Sequence, residues 1–373
     1  MSGATTTTGT PAFIKGLELS RLFFREAVGP ILDEDFPGLR YAAALLGTGS
    51  EVLGFDTEMS ADHGWGPRLD LFYAEEDYDK ADAVSDALAR RLPHRFRGYP
   101  TSFAEPDPTD NGVQHLIQKD AGPVRHKIEP MTVRGFFLGY LAFDIEGDIE
   151  PADWLTFPEQ KLRTITSGEV FHDAIGLEEV RRRFSYYPRD VWLYQLASAW
   201  ARVGQEEHLM GRAGHAGDEL GSALIGARLV RDLMRLCFLM ERAYAPYPKW
   251  FGTAFDRLEC APAISPHLRA ALASTTWQER ESHLVPAYEI VAAKHNALGL
   301  TEPLPDRVRD FFGRPFRVIE LHGFSNSLLK LIADERVRRI AARRPVGGID
   351  TFSDSTDLVS HAAWRPTLRK LYE

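Results

Sequence analysis

An apolar run, YAAALL, stops at GTGS, residues 47–50. A run this short and this apolar, closed by glycine, reads as a buried strand. A strand that ends in Gly-Ser exposes backbone N–H groups at a tight turn, and the serine hydroxyl adds a donor. Phosphate oxygens bind such groups, which makes Gly49, Ser50 and the adjoining Glu51 candidate nucleotide-binding residues. Carboxylates follow closely: Asp56, Glu58 and Asp62, with His63 beside the last. The next strand-like stretch, RLDLFYA, alternates Leu69, Leu71 and Tyr73 with Arg68, Asp70 and Phe72, so it carries an acid inside it. One reading of this layout is a phosphate cradle beside a metal site. A polar loop closing a strand is written in the same residue types. The stretch is not a P-loop, because no Lys-Ser or Lys-Thr follows the glycines, and it lacks the third glycine and the helical pattern of a dinucleotide fingerprint.

Around this turn the pattern is mixed α and β. GLELSRLFFREAVGPILDEDFP predicts a helix ending near Pro37, and DYDKADAVSDALARRLP an amphipathic helix. GVQHLIQ and VRHKIEPMTV are further strand candidates. From about residue 136 the character changes to helices, among them RDVWLYQLASAWARVGQEEHLMGR and DELGSALIGARLVRDLMRLCFLMERAYAPY. FSNSLLKLIADERVRRIAARR predicts one late amphipathic helix after the strand-like PFRVIELH. The expected fold class is α+β: a flexible tail over 1–18, a mixed-sheet domain over 19–140 and a mostly helical domain over 141–373.

A net charge of -9 gives no global basic field, so nucleic acid is not an expected partner. The N-terminus, MSGATTTTGTPAF, has no apolar core of a secretory signal, and no run reaches ~18 apolar residues. With two cysteines, Cys237 and Cys260, and no disulfide framework, the expected setting is a reducing, cytoplasmic one away from membranes.

Phosphoryl or nucleotidyl transfer needs a divalent cation held by carboxylates and substrate phosphates. Asp62, Asp70 and Glu129, in HKIEP, are the candidate ligands for magnesium, or manganese in its place. Asp62, His63 and Asp70 are the candidate catalytic groups, His63 as a hydrogen-bonding or proton-transfer residue. Gly49-Ser50 after an apolar strand, then acids, then an acid in the next strand, resembles the nucleotidyltransferase fold of the polymerase-β superfamily. More narrowly, GTGSEVLGFDTEMSADHGWGPRL resembles the domain of unknown function 4037 family, and so do KLRTITSGEVFHD, YYPRDVWLYQLASAW, GRAGHAGDELGS, RLVRDLMRLCFLMERAYAPYPKWFGTAF and GGIDTFSDSTD. The resemblance implies a nucleotidyltransferase-like domain followed by a helical one, with no substrate attached. The superfamily pattern places two acids two positions apart on one strand and a third on a later strand. With Asp62 as the first acid, its partner position holds Gly64; on RLDLF, Asp70 takes the second place and Arg68 stands in the first.

In the helical part, Arg228, Arg231, Arg235 and Arg242 share one helix face, with Arg212 upstream and Lys249 and Trp250 downstream. Such a face holds an anionic substrate, which makes Arg212 and Lys249 candidate nucleotide contacts, or it is a solvated stripe paired with acids such as Asp218, Asp232 and Glu241. SGEVFHD, with Glu169, His172 and Asp173, reads as a polar cluster at a helix start, and ERVRRIAARR as a solvated helix face. The expected activity is transfer of a nucleotidyl group from a nucleoside triphosphate to a small-molecule acceptor with magnesium. The alternatives are a degenerate fold that binds a nucleotide or metabolite without transfer, and acid–base chemistry by His63 with Asp62.

Overall fold

The structure, a computed structural model, describes residues 12–61, 64–110 and 112–373. The chain divides into two compact units, Met1–Gly147 with Thr164–Ser185 and Asp148–Arg163 with Tyr186–Glu373.

The first unit is built on a four-stranded mixed sheet of β1 (Tyr41–Leu45), β2 (Arg68–Tyr73), β3 (Lys127–Thr132) and β4 (Glu169–Asp173), in the order β3-β2-β1-β4. β1 runs antiparallel to β2 and β4, and β2 runs parallel to β3. Every residue of β1 is buried because both faces of the sheet are covered, which is why its sequence shows no alternation. On one face, α1 (Gly16–Phe23) and α2 (Ala81–Arg91) pack Phe23, Val84 and Leu88 against Leu69, Leu71 and Tyr73. On the other, Phe72 meets Ala42, Ala44 and Leu177, with Phe136 of α3 (Val133–Leu141) against them. The alternation in RLDLFY therefore sorts its residues as expected, and it places Arg68 and Asp70 on the face of Phe72.

The helix expected through Pro37 begins at Gly16, so the last residues assigned to a flexible tail are its first turn; residues 1–11 lie outside the described residues. The Asp56 carboxylate holds that start, its Oδ2 accepting the Gly16 N–H at 2.7 Å and the Trp65 indole N–H at 3.2 Å. The helix then opens into a π turn over Phe24–Val28 before continuing as Gly29–Asp35. Pro30 has no N–H to offer the preceding turn, and the ladder widens around the missing donor. GVQHLIQ forms only the short strand Leu116–Ile117, paired with Ser102–Phe103.

SGEVFHD departs most from expectation. It is not only a helix start: Glu169–Asp173 is β4 and pairs with β1, with a register break between Ala43 and Ala44. Its end does cap a helix, since Asp173 Oδ1 accepts the N–H groups of Ile175, Gly176 and Leu177, and Oδ2 that of Glu178. These bonds hold the Asp173 carboxyl below its ordinary range, although burial opposes them.

The second unit is helical, around α4 (Arg189–His215), α5 (Glu219–Met240) and α6 (Trp277–Ala297). Trp200, Leu233, Leu236 and Tyr288 are buried between them. Asp218 caps α5 through the Gly221 N–H at 2.7 Å. The single late helix expected from FSNSLLKLIADERVRRIAARR is two, Phe324–Leu329 and α7 (Glu335–Ala341). The break lies where Asp190 Oδ2 accepts the N–H groups of Ala333 and Asp334 at 2.6 and 2.5 Å, while Asp334 caps α7. The sequence therefore contains a helix stop and a new cap inside one amphipathic pattern. Among the described residues no helix is long and apolar enough to cross a membrane, and Cys237 and Cys260 are free and buried.

Gly168 leads into β4 with no room for a side chain: a Cβ there would lie 2.0 Å from the Leu45 carbonyl oxygen. Gly168→Ala is expected to lower stability by about 2 kcal/mol through strain at the β1–β4 pairing, read from urea unfolding of the full chain.

Candidate functional site

The turn after β1 requires its glycines. Gly47 has φ +73° and Gly49 φ +144°, both in the region that favours glycine. A Cβ on Gly49 would stand 2.7 Å from Glu51 Oε2 and 2.8 Å from Arg68 Nη2. The chain then tightens, Gly54 N–H donating to Glu51 O at 3.1 Å and Phe55 N–H to Ser50 O at 2.9 Å. Among the described residues, the N–H groups of Gly49 and Ser50 and the Ser50 hydroxyl have no hydrogen-bond partner. Consecutive unused donors at a glycine turn suit the oxygens of an anion.

Arg68, at the head of β2, fastens this turn. Its Nη2 donates to Glu51 Oε1 at 2.6 Å and to Thr48 O at 2.9 Å, and its Nε to Glu51 Oε1 at 3.0 Å. The side chains of Arg68 and Glu51 are only 12% and 7% exposed, so the pair is largely withdrawn from water. Glu51, a candidate nucleotide-binding residue by sequence, is thereby committed to the guanidinium.

The parallel register of β2 and β3 sets Arg68 opposite Lys127 and Asp70 opposite Glu129. Neighbouring strands lie about 4.8 Å apart, so the two acids are side by side on one face, and so are the two cations. Asp70 is buried and accepts the Leu46 N–H at 3.0 Å through Oδ2. Burial pushes its carboxyl up to about 6; Arg68 and the Leu46 bond pull it down, while Glu129 and Glu51 raise it further. Glu129 is exposed. Burial and the Arg68 charge hold the Lys127 ammonium below its ordinary value. Among the described residues Lys127 has no ion-pair partner, and it reaches over Gly64, where a Cβ would stand 2.7 Å from its Nζ. Gly64 has φ +64°.

Both positions where a paired acid is expected therefore hold positive charge: the Arg68 guanidinium itself, and the Lys127 ammonium over Gly64. Among the described residues no group of three or more His, Cys, Asp or Glu is arranged to hold a metal ion. Asp70 and Glu129 alone, beside two cations and with the Asp70 carboxyl half-titrated near pH 6, make a poor donor set for magnesium. Asp62 and His63 lie outside the described residues. The acid–cation alternation was present in the sequence as RLD on one strand and KIE on the next, two steps from cation to acid in each.

In the second unit the arginine face is largely paired. Arg228 meets Glu206 at 2.9 Å, Arg231 meets Asp354 at 2.5 Å, and Arg235 approaches Glu159 at 3.6 Å. Arg242 lies over the Trp192 ring, 4.2 Å from its centroid. The partners differ from those expected: Asp218 caps α5, Asp232 pairs with Arg202, and Glu241 pairs with Lys294. Arg212 is exposed, 3.4 Å from His208 Nδ1, and Lys249 is exposed, 5.1 Å from the Trp250 ring centroid. Sequence reasoning missed buried Glu159 and half-buried Asp350, which lie together: Asp350 Oδ2 accepts the Glu159 N–H at 2.9 Å, and Glu159 Oε2 the Ala245 N–H at 2.8 Å. Burial raises both carboxyls, each opposed by Arg235.

With its mixed sheet and helical remainder, the protein is of the α+β class. Residues 154–251 match the family model described as a domain of unknown function (DUF4037), so the chain carries that segment. The match takes in β4, α4 and α5 and leaves out the turn at 47–50. No curated protein matches. Among solved structures the chain is similar to a nucleotidyltransferase-like protein from Exiguobacterium sibiricum 255-15, at 12% identity over 78% of this chain and 83% of that one, with a TM-score of 0.33.

Removing the Arg68 side chain would leave Glu51 charged and without its partner in a largely dry site. Arg68→Ala is expected to cost about 3 kcal/mol of stability, measured by chemical unfolding, and Arg68→Lys, which keeps the charge but loses the fork, an intermediate amount.

Proposed function

We propose that the first unit binds the phosphates of a nucleotide-class ligand at the 47–50 turn without requiring transfer, with Arg68 and Lys127 supplying fixed positive charge where a divalent metal would otherwise be needed. The observation that carries this reading is the cation at each position where a second acid is expected. Three features support it. The Gly49 and Ser50 donors are unused among the described residues. Lys127 has no ion-pair partner among them. Arg68 is already held by Glu51 and Thr48, so little freedom is lost when an anion arrives.

Magnesium- or manganese-dependent transfer from a nucleoside triphosphate to a small-molecule acceptor is the second reading. It is favoured by the side-by-side placement of Asp70 and Glu129.

The two readings predict opposite responses to metal and to pH. Under the first, ATP binds the full chain in EDTA by calorimetry, and Lys127→Ala weakens binding roughly tenfold, the loss of one charge-assisted bond. As pH rises through about 6, Asp70 ionises and adds negative charge beside the phosphates. Affinity is therefore expected to fall between pH 5.5 and 7.5, and Asp70→Asn to flatten that fall. Binding that requires magnesium, strengthens with pH as Asp70 ionises, and leads to pyrophosphate release with an acceptor present would replace the first reading with the second.

The same titration bears on stability. The folded-state value of Asp70 lies above the ordinary carboxylate value, so the native chain holds a proton that the unfolded chain has lost between about pH 4 and 6. This contribution falls as pH rises through that window, and Asp70→Asn is expected to remove it from the unfolding free energy measured across the same range.

A further inference from the structure

A cavity of about 460 Å³ in the second unit gathers four arginines from two separate parts of the chain. Arg336, Arg339 and Arg343 recur at spacings of three and four along α7 and the turn that continues it, so they share one face. Arg369 comes from the helix Arg365–Arg369 near the C-terminal end of the sequence. By sequence, the basic run of α7 reads as a solvated face. These arginines are exposed, as expected, but not equivalent: Arg338 pairs with Glu335 outside the cavity lining, while Arg336, Arg339 and Arg343 line the cavity.

Guanidiniums brought together in one concavity repel unless something offsets them. The lining contains two acids, Glu150 and Glu373, against the four arginines. Arg336 is held by Glu150 at 2.8 Å and Asp334 at 3.2 Å, and Arg369 by Asp153. Arg343 donates to the main-chain oxygens of Leu371 and Glu373 at 3.3 and 2.9 Å. The Arg339 side chain has no ion pair or hydrogen bond among the described residues. Three of the four forks are thus anchored in place and one has no protein partner, an arrangement that favours multidentate capture of an oxyanion. The remaining wall is apolar. Ile340 lines it, and the Tyr372 ring lies beside it with its hydroxyl occupied by Gly347 O at 2.7 Å. The cavity is within the size range of small-molecule sites and has an apolar side for the organic part of a ligand.

We propose that this cavity binds a small phosphorylated metabolite, its phosphate on Arg339 and Arg343 and its organic part against Ile340 and Tyr372. The site is separate in sequence and chemistry from the 47–50 turn: it has no glycine turn, and its positive charge is all arginine.

Calorimetric titration of the full chain with inorganic tripolyphosphate tests the proposal. To separate the two sites it is run on Lys127→Ala and on Lys127→Ala combined with Arg339→Ala and Arg343→Ala. Binding is expected to survive Lys127→Ala and to weaken at least tenfold when the two arginines are also removed. Arg339→Gln, which replaces a residue without a partner among the described ones, serves as a milder variant; it is expected to weaken binding while melting with the parent. Unchanged affinity in the arginine variants, loss of all binding on Lys127→Ala alone, or absence of binding to the parent chain would each overturn the proposal.

Discussion

The ion pair between Arg68 and Glu51 holds three parts of the first unit at one point. It ties the head of β2 to the turn that ends β1, and Gly49 and Gly16 both pass within contact of it. A Cβ on Gly16 would lie 2.7 Å from Glu51 Cβ, so the start of α1 is fitted to the stem of the same side chain. A largely buried charge pair is not in itself a source of much stability. Its consequence here is geometric. With Glu51 held by the guanidinium, the Gly49 and Ser50 N–H groups have no partner among the described residues.

That arrangement also explains why Arg68 is not a simple loss of an acid. An acid at this position would face Glu51 and the Thr48 carbonyl, two acceptors with no donor between them. Arg68 and Glu51 are a matched pair in a largely dry place. A divalent ion would leave and return with its ligand, whereas a guanidinium is permanent.

Much of this was legible in the sequence, and what was not has identifiable causes. The apolar run at 41–46, the alternation in RLDLFY and the long helices of the second unit follow from periodicity strong enough to survive any tertiary context. The strand at Glu169–Asp173 did not, because five residues of weak alternation inside a helical stretch carry too little pattern, and its pairing with β1 is a contact across more than a hundred positions of sequence. The split of the late helix was hidden because its cause, Asp190, lies far away along the chain. At the candidate site, the residue types were visible but the register was not. Only the pairing of β2 with β3 shows that Asp70 faces Glu129 and Arg68 faces Lys127. Glu159 and Asp350 were invisible for the same reason: nothing local marks two acids 191 positions apart as neighbours.

The late arrival of β4 has a consequence for how the protein is made. β1 lies between β2 and β4, so one of its edges stays open until the chain has passed through Asp148–Arg163, which belongs to the other unit, and come back. Without β4 the sheet would have three strands, with β1, buried along its whole length in the finished sheet, at its edge. A nascent chain in that condition can pair the open edge with another copy of itself. In the finished sheet that edge is closed by Glu169–Asp173, which follows the segment of the other unit in sequence.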